Sequence, residues 1–200
     1  MLVSRPELSR AGPGPPRIGA LLYFRHRLLG SRGSNSTTHL HRRGTIVIIP
    51  VMRTVFEAAG GNDGLCRLAR AWHARVMADE VVSHAFSHGF HPEHVERLAA
   101  YWAEALGGPS TYSDTYGDET TVVRMHSGNG PHEEMDRRAI VCFDQALVDV
   151  GLADDTPLRQ VLHDYFAWAT RTTMARYHRS ADDVPAGLKM PRWSWDGLQT

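Results

Sequence analysis

From Thr54 onward the apolar residues of the chain recur at intervals of three and four, the spacing of one helix face. Thr54-Val55-Phe56-Glu57-Ala58-Ala59 reads as a short apolar-faced helix closed by Gly60 and Gly61, after which Asn62 or Asp63 is placed to cap a second one. Leu65, Leu68, Ala69, Trp72 and Val76 stripe that second helix. Asp79 to Phe86 forms a short helical turn ending on an aromatic ring. Pro92 suits a first helical position, and Val95, Leu98, Ala99, Trp102 and Leu106 then line one face until Gly107-Gly108-Pro109 stops it. Pro131 opens another helix, with Glu133 and Glu134 in its first turn and Gly151 beyond its end. A last helix starts at Asp155 or Thr156 with Pro157, and carries a broad face of Val161, Leu162, Tyr165, Phe166, Trp168 and Ala169. No segment alternates with period two for long, and no repeat is visible. The pattern predicts an all-α domain.

Two stretches stand outside this pattern. Residues 1–51 lack a helical period and are rich in Pro, Gly, Ser and Arg, a composition that cannot bury enough surface to offset its ordering entropy. They hold eight arginines and one acid, a balance of +7, against −7 for residues 52–200. The expectation is a disordered basic extension over 1–51, a globular domain over 52–179 and a tail over 180–200, in which Trp193 and Trp195 cover an apolar edge of the body. The acidic balance of the body gives no electrostatic reason to expect nucleic acid as a partner. The longest apolar runs are too short to cross a bilayer, so no membrane partner is expected. Two isolated cysteines, Cys66 and Cys142, imply neither a disulfide framework nor a thiolate metal site, which suits a cytoplasmic protein.

The second exception is Gly107 to Met135, where a glycine-rich hinge carries His126 after the short apolar run Val122-Val123. Neutral imidazole is the commonest protein ligand for a transition metal. A separate group, His84, His88, His91 and His94 with Glu93 and Glu96, could supply a non-haem metal cluster in a helical bundle. Such bundles draw ligands from several helices, often as Glu-x-x-His, and no Glu-x-x-His pair is present.

Several pieces in order resemble one family: Gly60-Gly61, Ala78-Asp79-Glu80-Val81 leading to Phe86, Glu96-Arg97-Leu98, Gly107-Gly108-Pro109-Ser110-Thr111-Tyr112-Ser113, and Arg124-Met125-His126. Residues 52 to about 175 resemble a group II truncated haemoglobin, a globin shortened to a two-over-two helical fold. The resemblance implies a b-type haem, with His126 as the proximal iron ligand and Phe86 against the haem face. It further implies that Leu98, Tyr101, Trp102, Tyr112 and Met125 contribute to the cofactor pocket, and that Arg97 reaches a haem propionate. The distal side departs from the pattern. His73 stands where the family carries a distal tyrosine, His94 at the usual distal-histidine position, and Ala139, with Ile140 beside it, where a tryptophan is typical. Either histidine could donate to a bound ligand or coordinate iron itself. The implied function is reversible binding of oxygen or another diatomic ligand. The alternative is redox turnover of the nitric oxide dioxygenase or peroxidase kind, which would need an external electron donor.

Overall fold

The computed structural model describes residues 53–199, and the expected basic extension over 1–51 lies outside them. Among the described residues there are seven α-helices: α1 (Val55–Ala58), α2 (Gly61–Ala78), α3 (His94–Ala105), α4 (Thr111–Thr115), α5 (Glu119–Met125), α6 (Glu133–Asp149) and α7 (Thr156–Trp168). A 3-10 turn, Val82–Phe86, sits between α2 and α3. A π-helical turn, Ala169–Met174, prolongs α7, and a 3-10 turn, Ala181–Asp183, leads to a small antiparallel hairpin of β1 (Arg192–Ser194) and β2 (Gly197–Gln199). The chain is all-α in architecture, with this hairpin as its only sheet among the described residues. No helix among them is long and apolar enough to cross a membrane.

Local sequence explains most boundaries. Thr54 and Glu57 form a reciprocal capping box at α1, each bonding the other's backbone N–H. α2 begins at Gly61, ahead of the Asn62 or Asp63 cap that the sequence suggests, because Gly60 takes a left-handed φ of 91° and turns the chain directly into it. Gly64 lies against the carbonyl of Ala59 so closely that any side chain there would collide with backbone. The end of α1 thus sits on the first turn of α2. α3 closes in a Schellman arrangement, with Gly107 at φ 94° and the Gly108 N–H donating to Ala103 O at 2.8 Å. Asp155 caps α7 through the Leu158 N–H, with Pro157 in its first turn.

α2 packs most extensively on α3 and on α6, and α6 in turn on α7. The stripes read from the sequence meet between them: Leu65, Leu68, Ala69 and Val76 are buried, as are Ala99, Trp102, Phe143, Ala146, Leu162 and Phe166. Phe143 and Phe166 stack at 4.1 Å, and Trp102 sets its edge against both. Each such ring or aliphatic side chain contributes roughly 1.5–3 kcal/mol on burial. The tail is part of this core. Trp193 packs against Tyr165 and Trp168, and the Trp195 indole N–H donates to Arg53 O.

Candidate functional site

His126 caps the C-terminus of α5, a helix started by Asp118, whose carboxylate accepts from the Thr121 N–H. Its Nδ1 lies 2.8 Å from the carbonyl of Val122. That contact requires Nδ1–H as donor, which leaves the Nε2 lone pair as the ring's ligating position. His126 is exposed to solvent as a residue, with its Nδ1 turned in against the helix carbonyl. Desolvation by the surrounding protein lowers its pKa, against the opposing pull of the Val122 carbonyl. His126 is therefore neutral, the form that binds a metal.

A second group of rings gathers from α2, the 3-10 turn and α3. His73 lies 5.1 Å from His94 and 5.4 Å from Phe86, and Phe86 lies 5.3 Å from His94. Phe90, 4.8 Å from His73, completes the cluster. His73 Nδ1 and His94 Nε2 are buried without a hydrogen-bond partner. Burial lowers the pKa of both. For His94 the value falls to about 4, helped by the nearby imidazoles of His73 and His126 and opposed by Glu96. Both rings are neutral at physiological pH, and each has one N–H to donate.

The remaining named residues divide between two surroundings. Arg97 stacks its guanidinium over Tyr116 at 5.1 Å and lies 3.7 Å from Glu93, while its buried Nε has no partner. Leu98 is half-buried, and Met125 is largely exposed. Trp102 belongs to the aromatic core with Trp72, Phe143 and Phe166. Tyr101 and Tyr112 meet edge to face at 5.2 Å. Ala139 and Ile140 are buried on α6, and the Ala139 carbonyl accepts from the Trp72 indole N–H at 3.2 Å. The His84, His88, His91 and His94 run does not converge. Among the described residues, no three His, Cys, Asp or Glu side chains are placed to hold one ion.

Glu119, which the sequence reading passes over, is 4% exposed at the first turn of α5 and accepts from the Tyr101 hydroxyl at 2.9 Å. Burial raises its pKa to about 7, opposed by the Tyr101 bond, and burial likewise drives the Tyr101 hydroxyl far up. Asp118 as a cap marks the start of a helix, but nothing in the sequence says that the next residue is buried. Phe90 was also passed over; a lone aromatic in a polar, histidine-rich loop was its only mark.

The surface of the described residues includes two clefts of note. One of about 240 Å³ lies between Arg75, Asp79 and Cys142, away from the imidazoles. The other, about 520 Å³, follows the His126 loop and is lined by residues including His132, Asp136, Arg171 and His178. None of the cofactor, iron-ligand or distal candidates named from the sequence lines either. The donor set itself nevertheless suits a haem: one neutral imidazole with its Nδ1 bonded to a main-chain carbonyl, two neutral imidazoles with buried unpartnered nitrogens, and a guanidinium with spare donors.

Comparison with known proteins agrees on the fold. The family model described as bacterial-like globin matches residues 54–170. The haemoglobin of the thermophilic phototroph Chloroflexus aurantiacus is 28% identical, covering 62% of this chain and 100% of its own, with a TM-score of 0.52. The thermostable haemoglobin of Thermobifida fusca is 29% identical, covering 62% and 98%, with a TM-score of 0.51. The group II truncated haemoglobin of Bacillus anthracis, 21% identical, covers 64% and 95% with a TM-score of 0.55 and supports the fold alone. No curated protein matches the sequence.

Proposed function

Since the chain belongs to the bacterial-like globin family, and is thereby a haem globin, we propose that it carries a b-type haem on His126 and binds oxygen reversibly beside His73 and His94. The observation that carries this reading is the His126 ring, whose Nδ1 is held by the Val122 carbonyl so that Nε2 is left to ligate. Haem iron supplies the electrophilic centre at which a diatomic ligand is held.

The protein's part is to bind and orient. The Val122 carbonyl fixes the tautomer of His126 and raises the basicity of Nε2. Phe86 and Leu98 offer apolar surface to a flat cofactor, and Tyr112, Tyr101, Trp102 and Met125 complete or back the surrounding wall. Arg97 supplies a guanidinium suited to a propionate carboxylate. His73 and His94, neutral and without other partners, provide N–H donors for a ligand that gains negative charge on binding. Ala139 and Ile140 contribute no polar atom from their side chains, so donation falls to the histidine pair.

The test is the absorption spectrum of the purified full chain and of His126→Ala. The expected result is an intense Soret band in the parent protein, with oxygen-dependent changes in the ferrous form and loss of the five-coordinate histidine signature in the variant. A colourless protein after haem addition, or a variant with an unchanged spectrum, would overturn the assignment.

A further inference from the structure

A seven-residue helix cannot hold itself, since isolated helices shorter than about 12–15 residues are marginal in water. The pose of α5, and of the imidazole at its end, must therefore come from what packs on it. Of all the elements, the tail's 3-10 turn Ala181–Asp183 packs on α5 most extensively. This tail lies beyond residues 54–170, the part matched by the family model.

The contacts bracket His126 on both sides. Before it, the Thr120 hydroxyl accepts from the Leu188 N–H at 3.0 Å and donates to Pro185 O at 3.5 Å. Arg124 Nη2 donates to Val184 O at 3.4 Å, and the Val184 side chain is buried. After it, the Gly128 N–H donates to Tyr177 O at 3.0 Å and the Gly130 N–H to His178 O at 2.9 Å. Gly128 has φ 79°, and a carbon added there would press on Ala181 N at 3.3 Å. The loop two residues beyond the imidazole is thus laid flat on the tail.

We propose that residues 177–188 form a strap that sets the orientation of His126, with Thr120 as the positioning residue through which the strap holds α5. This rests on the reading of His126 as the haem ligand. Thr120 touches no cofactor; its hydroxyl ties the helix to the tail, and the helix carries the Val122 carbonyl that orients the ring. Loosening the strap lets the imidazole tilt, which changes the strength of its bond to iron.

The test compares the full chain with Thr120→Val, Thr120→Ser and Arg124→Met. Resonance Raman spectra of the ferrous proteins should show the iron–histidine stretching band shifted in Thr120→Val, restored in Thr120→Ser, and shifted less in Arg124→Met. Haem transfer to a scavenging globin should be roughly tenfold faster in Thr120→Val. Without haem, the amides of Gly128 and Gly130 should exchange faster in the same variant. Should Thr120→Val not fold, Arg124→Met reads the neighbouring contact to the same strap, at Val184 O, from an exposed side chain. An iron–histidine band unmoved in every folded variant overturns the strap while leaving His126 as ligand. A parent protein that takes up no haem, or one whose ferrous spectrum is unchanged in His126→Ala, removes the haem reading and the strap together.

Discussion

The two histidine-bearing sides of this globin differ in how completely their polar atoms are partnered. Around His126, ring nitrogen, hydroxyl and main-chain N–H groups are taken: Nδ1 by Val122 O, the Ser127 hydroxyl by Val123 O, and Gly128 and Gly130 by the tail. Across α2 and α3, His73 Nδ1, His94 Nε2 and Arg97 Nε are buried without a hydrogen bond, Arg97 Nε facing the Glu93 carboxylate only at 3.7 Å. Leaving such a group unmade costs about 1–3 kcal/mol, so these side chains are not there for the stability of the fold. One side is built to hold a pose. The other keeps donors in reserve for whatever arrives.

The largest break in this contrast is expected at His126. Replacement by Ala should abolish stable haem retention, while His73→Leu and His94→Leu should both retain the cofactor; gel filtration in the presence of haem reads the difference. If one of the distal variants loses haem as completely as His126→Ala, the assignment of sides is reversed.

Next comes the support beneath α5. Tyr101→Phe removes the hydroxyl on which the Glu119 carboxylate depends. Urea unfolding should show a loss of about 1–3 kcal/mol at neutral pH. The loss should shrink in acid, where Glu119 carries its own proton. An equal loss at both pH values would mean that the worth of the bond does not depend on the charge of Glu119.

How far the sequence revealed this contrast depends on element length. α2, α3, α6 and α7 run for 12 to 18 residues, long enough for Leu65, Leu68 and Val76, or Val161, Leu162 and Tyr165, to repeat a face. α4 and α5 have five and seven residues, too few to show a period, and read as an acidic loop and an apolar run. The hairpin at 192–199 and the π-helical turn at 169–174 have no pattern of their own; tertiary packing of Trp193 and Trp195 sets the former. Motif order singled out His126 as a residue, but not its bond to Val122, which needs the helix to end where it does. His73, Phe86 and His94 were each named from the sequence, and the fold brings their rings together. The strap was invisible because all five of its bonds accept or donate through tail main chain, which almost any residue type could provide.

A smaller effect of opposite sign separates the sides again. His94→Leu removes a buried, unpartnered nitrogen and should raise the stability of the haem-free protein by about 1 kcal/mol. The same change should speed release of a bound diatomic ligand, since a donor is lost. A variant less stable than the parent would show that the imidazole is satisfied in solution.

The smallest effect expected is the pH dependence of the intact chain between about 4 and 7, because the two sides oppose each other there. Glu119 has a folded pKa of about 7, above its ordinary 4.5, so the folded form keeps a proton that the unfolded chain releases. Its stabilisation is full below 4.5 and is lost as pH rises through 7. Asp136, also raised by burial, acts in the same sense. His94 is the mirror case: its pKa of about 4 lies below the ordinary 6.5, so its contribution is full above 6.5 and lost as pH falls through 4. His73 and His126, both lowered by burial, add to it. Urea titrations of the haem-free chain should therefore be nearly flat across the window. His94→Leu should tilt the profile so that stability falls as pH rises from 4.5 to 7, and Glu119→Gln should tilt it the other way, with stability rising from 4 to 6.5. Profiles that stay parallel to the parent in both variants would show that neither group titrates away from its unfolded value. The contrast between a held side and a reserved side would then have to stand on hydrogen bonding alone.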